Sequence, residues 1–222
     1  MEVKQNNLIK RLKLQPLIVL IRLEHEFFNI SKKRENLFLK IEKLYNYGIK
    51  NIEIGWDSNA EWVNLISEIK KNFNSINIGA ASIDSKESLD SILSLDLNYS
   101  MSPSFNKEIH LKAIQNNQLV IPGISNIKNF KEAINLGYKI VKIFPASTLG
   151  INFINELKKI NQKDMFFIGA GGIKSRNLKI FIKNGYDALV IGRELQNQTP
   201  DKNLEIWLKD YSGSTLKPKI NY

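Results

Sequence analysis

A single (β/α)8 TIM barrel with an N-terminal capping helix is the fold class this sequence predicts, and three observations predict it. Short apolar runs alternate with longer helical patterns from one end of the chain to the other. The runs are rich in Ile, Val and Leu and apolar on both faces, as parallel strands covered by crossover helices must be. Eight such units follow one another without a Pro/Gly/Ser-rich linker, so one domain spans 1–222. A doubly wound open sheet uses the same local units, but the first strand here is followed by no glycine-rich dinucleotide turn.

Residues 1–16 place Val3, Leu8, Ile9 and Leu12 among Lys and Asn, a weakly amphipathic helix that caps one end of the fold. The first strand, Leu17–Arg22, puts Ile18, Leu20 and Arg22 on one face. A helix over 31–47 stops at Gly48, where a helix C-terminus favours glycine. The second strand, Asn51–Gly55, sets Glu53 on the face opposite Ile52 and Ile54. Helix 58–72, strand 76–80, helix 85–95, strand 99–102, helix 106–116, strand 119–122 and helix 127–136 continue the alternation. The sixth strand starts near Tyr138, carries Lys142 and stops at Pro145. Helix 149–160, strand 165–169, helix 175–184, strand 187–192 and helix 202–209 complete the units. Residues 211–222, with Gly213, Pro218 and mostly polar neighbours, read as a surface tail.

The 222 residues carry 32 basic and 22 acidic side chains, a net charge of +10. Because the lysines are scattered over nearly every helix, this charge reads as solvated helix faces with a modest pull on small anions, not as a nucleic-acid or membrane surface. Cysteine is absent and the only histidines, His25 and His110, stand in no ligand-spaced motif, so no metal site is expected. No apolar run reaches bilayer length and the first residues lack a secretory core, which makes a cytoplasmic location the expectation.

Lys142 lies in a strand that is apolar on both faces. A lysine in a strand usually snorkels its ammonium to water. Near the carboxyl end of a doubly buried strand, however, it is desolvated, its pKa falls, and a neutral amine becomes available to attack a carbonyl. Glu53 sits between isoleucines; it serves either as an ion-pair partner inside the barrel or as a proton shuttle within one water of the reacting atoms. Active sites of these barrels form at the carboxyl ends of the strands. There the sequence supplies Arg22, Glu53, Ser82 after Gly79-Ala80-Ala81, Ser102-Pro103-Ser104, Pro122-Gly123, Lys142, the Gly169–Ile173 loop and Gly192-Arg193. The glycine loop opens a helix, a favourable place for an anion, although glycine there also closes tight turns. This set suffices for carbon–carbon cleavage through an imine, which is its own electron sink and calls for no cofactor.

On Ile52-Glu53-Ile54, Val120-Ile121-Pro122-Gly123-Ile124, Val141-Lys142-Ile143-Phe144-Pro145-Ala146 and Gly171-Gly172-Ile173, the chain resembles the 2-keto-3-deoxy-6-phosphogluconate and 4-hydroxy-2-oxoglutarate aldolases from Leu17 to Gly192. The resemblance implies a class I aldolase that releases pyruvate and an aldehyde, glyceraldehyde 3-phosphate or glyoxylate, and assembles as a homotrimer. It implies Lys142 as the imine-forming residue and Glu53 as the acid/base. Arg22, Ser82, Pro103 and Phe144 would then surround a small anionic 2-keto acid, with Gly171 and Gly172 at its distal phosphate. After the glutamate this chain reads Gly55-Trp56-Asp57-Ser58 where the phosphogluconate enzymes carry an arginine, which is nearer to the phosphogalactonate branch. After the last strand it reads Arg193-Glu194 where a small Gly-Ser pair is usual; Arg193 could clamp an anion bidentately, while Glu194 would oppose one. Two other readings use the same fold: a phosphosugar isomerase or synthase that needs no imine, and a catalytically silent barrel that binds polyanions.

Overall fold

The computed structural model describes residues 1–24, 26–150, 152–160, 165–195 and 201–210, so the expected tail over 211–222, and His25, lie outside the described residues. Its strands are β1 (Leu17–Ile21), β2 (Asn51–Gly55), β3 (Asn77–Ala81), β4 (Ser100–Met101), β5 (Val120–Ile121), β6 (Gly123–Ile124), β7 (Ile140–Ile143), β8 (Phe166–Ala170) and β9 (Ala188–Ile191). They hydrogen-bond in the order β5-β4-β3-β2-β1-β9-β8-β7-β6, every pair parallel. Nine strands appear where the sequence predicts eight because Pro122 divides the fifth. Proline has no N–H to give to a ladder. The chain therefore pairs with β4 before Pro122 and with β7 after it, the Lys142 N–H reaching the Pro122 carbonyl at 3.0 Å. These two halves of one strand bring the ends of the sheet together as a (β/α)8 barrel. Gly123 is required at the joint: a Cβ there would run into the backbone of Pro103 and lie 2.8 Å from the Ser102 carbonyl.

Some expected helices are shorter or divided. The one predicted over 58–72 begins at Trp62, because Asp57 and Asn59 accept the N–H groups of Asn59 and Glu61, both at 2.9 Å, and hold the preceding residues as turns. The one predicted over 149–160 starts at Phe153, and a separate short helix, Ala146–Leu149, ends before it at Gly150, whose φ is 81°. The one over 175–184 starts as a 3-10 turn, Ser175–Asn177, before Leu178–Lys183.

The N-terminal helix α1 (Glu2–Leu14) buries Leu8 and Leu12, as its apolar stripe predicts. Its polar side chains do as much to seat it. Gln5 accepts the Lys139 N–H at 2.7 Å and donates to the Gly137 carbonyl at 3.2 Å, while Lys4 donates to the Leu97 carbonyl at 3.1 Å. Just beyond the helix, Gln15 accepts the Lys50 N–H at 2.7 Å. All of these partners lie on segments entering strands, so α1 covers the amino ends of the barrel and leaves the carboxyl ends for chemistry.

Glu53 and Gly79 are direct partners across β2 and β3, so they face the same way. The Tyr99 ring fills the space over Gly79: a Cβ there would come within 2.5–2.8 Å of three ring carbons. Tyr99 is fully buried and cannot swing away. Gly79→Ala is expected to cost about 1–3 kcal/mol, the usual range for overpacking a filled core. Urea unfolding that shows no loss of stability would contradict this packing.

Candidate active site

Lys142 belongs to β7 between Val141 and Ile143, both fully buried, and is itself only 7% exposed. Glu53 belongs to β2 and is 2% exposed. On one side of the ring β1, β9 and β8 separate the two strands, yet each side chain lies near enough to bear on the other's charge state across the interior.

Burial is the main influence on both groups, because it disfavours whichever form is charged. It brings the Lys142 ammonium down to about 8; the negative charges of Glu53 and Asp84 pull it back up, and Arg22 pushes it further down. It raises the Glu53 carboxyl to about 7, against the opposite pull of Lys142 and Arg22. Near neutral pH the amine can therefore lose its proton while the carboxyl can hold or release one. Among the described residues, Glu53 Oε1 has no hydrogen-bond partner, and Lys142 makes no ion pair within 4.0 Å. The Lys142 ammonium stands 5.3 Å from the centre of the Phe144 ring, a contact that keeps the amine among apolar atoms.

The other residues expected from the sequence fall into two groups. Arg22 is the first residue beyond β1; it acts electrostatically on both catalytic candidates and lines a cleft with Leu23, Phe27, Lys33 and Lys40. Phe144 lies against Lys142 and also against the glycine loop, since a Cβ on Gly171 would come 3.0 Å from its ring. Gly171 and Gly172 take φ values of 89° and 75°, which favours glycine at both positions. Lys142, Glu53, Arg22, Phe144 and the glycine loop are thus brought together. Ser82 follows β3 with a φ of 67°, and Pro103 follows β4 with its backbone packed on Gly123, so both stand at the carboxyl ends of their strands. Arg193 is exposed, and its neighbour Glu194 turns back toward the glycine loop, where its carboxylate accepts the N–H of Ser175 at 2.6 Å. Asp57 uses its carboxylate in the turn described above.

Two contributors were not expected. Tyr99 is fully buried, and its hydroxyl has no hydrogen-bond partner among the described residues; burial, and then the Glu53 charge, push its ionisation well up. Its signal in the sequence is indirect: a glycine, Gly79, standing opposite it in the neighbouring strand. Asp84 lies beyond β3 and is felt at Lys142 only through the folded shape. His110 is a packing residue. It is buried beside Ser102 Oγ at 3.3 Å and the Tyr138 hydroxyl at 3.0 Å, stacks on Phe105, and burial drops its pKa to about 4. Among the described residues no cluster of three His, Asp or Glu could hold a metal ion.

Fold and site together define a class: a single (β/α)8 barrel with an amine and a carboxylate buried in the same interior. A model of the KDPG and KHG aldolases, enzymes named for the two keto acids introduced above, matches residues 8–205, and the chain belongs to that family. It is similar to the 2-dehydro-3-deoxy-6-phosphogalactonate aldolase of Escherichia coli (strain K12), 26% identical over 118 residues that make up 53% of this chain and 58% of that one. It is also similar to the 2-dehydro-3-deoxy-phosphogluconate aldolase of Treponema pallidum (strain Nichols), 24% identical over 53% of this chain and 56% of that one. The matched region thus spans little more than half the length of these relatives. Among solved structures, the 2-keto-3-deoxy-6-phosphogluconate aldolase of Zymomonas mobilis ZM4 superposes with a TM-score of 0.74 at 17% identity, covering 92% of this chain and 95% of that one.

The electrostatics of the pair can be read directly. The pH dependence of Lys142 labelling by an amine-acylating reagent, followed by peptide mass spectrometry, is expected to have its midpoint near 8. In Glu53→Gln the midpoint moves to lower pH, since Glu53 holds the lysine's pKa up. A midpoint at the ordinary lysine value, or an upward move in the variant, would contradict the site.

Proposed function

We propose that the protein is a class I aldolase that cleaves a 2-keto-3-deoxy sugar acid, phosphorylated or not, or 4-hydroxy-2-oxoglutarate, to pyruvate and an aldehyde. The observation that carries this reading is the buried Lys142 amine, its pKa drawn down to about 8, sharing a closed interior with a carboxylate that has an oxygen to spare.

Neutral Lys142 attacks the C2 ketone, protonated Glu53 gives its proton to the departing hydroxyl so that it leaves as water, and a protonated imine forms opposite the Glu53 carboxylate. Glu53, directly or through one water, takes the proton of the C4 hydroxyl as the C4 oxygen becomes an aldehyde. The electrons of the C3–C4 bond move into the imine and leave an enamine. Glu53 returns the proton to C3, and hydrolysis frees pyruvate and the amine. Arg22, positively charged at the end of β1, is suited to the substrate carboxylate, and Phe144 shields the imine from water. The chain's own groups complete the cycle; membership of the aldolase family supports each step. A homotrimer, which the resemblance implies, and a cytoplasmic location belong to the same proposal.

Borohydride added with pyruvate is expected to fix a reduced pyruvate adduct on Lys142, found by peptide mass spectrometry. Lys142→Ala gives no adduct and no pyruvate release. Glu53→Gln keeps the adduct but lowers turnover by about 10²–10⁴, the range for a lost general acid/base. Adduct on another lysine, or full turnover in Lys142→Ala, would end the proposal.

A further inference from the structure

Where a barrel of this type binds a phosphorylated molecule, the anion usually sits between the loops after the seventh and eighth strands, on free backbone N–H groups and the start of a short helix. Here those loops follow β8 and β9, and two donors at the start of the helix after β8, the N–H groups of Lys174 and Ser175, are already taken by the chain's own side chains. Glu194, in the short helix Arg193–Leu195 after β9, reaches across to the loop after β8. Its Oε2 accepts the Ser175 N–H at 2.6 Å, and its Oε1 accepts the Ser175 hydroxyl at 3.2 Å. The N–H of the preceding residue, Lys174, is held by Asn177 Oδ1 at 2.8 Å. A second carboxylate joins them: Asp201 Oδ2, at 2.8 Å, competes with Glu194 Oε1 for the one Ser175 hydroxyl proton, while its Oδ1 caps the last helix at the Leu204 N–H at 2.9 Å.

Ser175 is only 6% exposed and Glu194 is half-buried, so their contact, which Asp201 joins from the exposed side, is built into the fold. Its physical meaning is a reversal of sign. Two carboxylates stand where a phosphate tail would need positive ends of N–H dipoles, and a dianion placed there would displace Glu194 from Ser175 or face it directly. Arg193, Lys174 and Asp201 are all exposed to solvent, so half-buried Glu194 is the least screened charge beside the Ser175 N–H. A hydroxyl group, by contrast, donates to a carboxylate.

Resting on the aldolase reading above, we infer that Glu194 is a specificity-determining residue that bars a terminal phosphate, and that the substrate is an unphosphorylated 2-keto-3-deoxy sugar acid with a hydroxylated tail. The glycine loop then shapes the mouth of the barrel beside Phe144.

The test compares kcat/KM for 2-keto-3-deoxygluconate and its 6-phosphate. The wild-type protein is expected to favour the unphosphorylated acid at least about tenfold. Glu194→Ser, which removes the carboxylate and frees the Ser175 N–H, shifts the ratio toward the phosphorylated acid by a further factor of at least about ten. It also makes inorganic phosphate a competitive inhibitor, which it is not of the wild type. Glu194→Gln keeps an acceptor for Ser175 without the charge and moves the ratio the same way, so a fold defect in one variant is caught by the other. A wild-type preference for the phosphate ester, or a ratio unmoved in both variants, would overturn the inference. If pyruvate is trapped on Lys142 but neither acid is cleaved, the specificity is wrong and the imine chemistry survives. If nothing is trapped, the aldolase reading itself has failed.

Discussion

Keeping an amine out of water inside a ring of apolar strands is the constraint from which the rest of this structure follows. A lysine buried on β7 with its ammonium over the Phe144 ring has a neutral form within reach near physiological pH because burial disfavours its charge. The same burial holds the Glu53 proton more tightly than water would. Each charge then partly offsets the other's desolvation without a direct ion pair between them. Such a pair costs stability, since two groups that prefer water have been denied it. What the fold gains is a base and a nucleophile whose protons are both mobile near neutrality.

The barrel supplies that dry interior by closing one end and opening the other. At the amino ends, α1 seals the strands with Leu8 and Leu12 and with the hydrogen bonds of Lys4 and Gln5. At the carboxyl ends, the fifth strand changes partner at Pro122, and the absence of a Cβ at Gly123 lets the β4 loop approach. Gly79 performs the equivalent service inside, where it admits the Tyr99 ring next to Glu53.

The alternation of short apolar runs with helical patterns made the barrel legible, because a strand covered on both faces has no other way to be apolar on both. Lys142 and Glu53 were legible for the same reason: a charge in such a strand is costly unless it has work to do or a partner to meet. Pro122 lay in plain view, but a proline at the end of a predicted strand looks like a stop, and only the pairing shows that the strand continues beyond it. Tyr99 was missed because a tyrosine within an apolar run looks like core. Glu194 was legible as a residue hostile to anions; that it grips Ser175, nineteen positions earlier, is a fact of tertiary structure that no local pattern carries. Arg193 offers the opposite case: its position beyond the last strand suggested an inward clamp, and its neighbour took the inward direction instead.

The shared interior of Lys142 and Glu53 is tested most directly by exchange of the pyruvate methyl protons in deuterium oxide, followed by proton NMR. This reaction needs the amine to form an enamine and the carboxylate to move the proton, and it needs no aldehyde, so it is independent of the substrate's tail. Loss of the methyl signal in the presence of the wild-type protein, abolished in Lys142→Ala and slowed in Glu53→Gln, is the predicted result. Exchange at the uncatalysed rate with the wild-type protein, or equal exchange in all three, would contradict the role given to this pair.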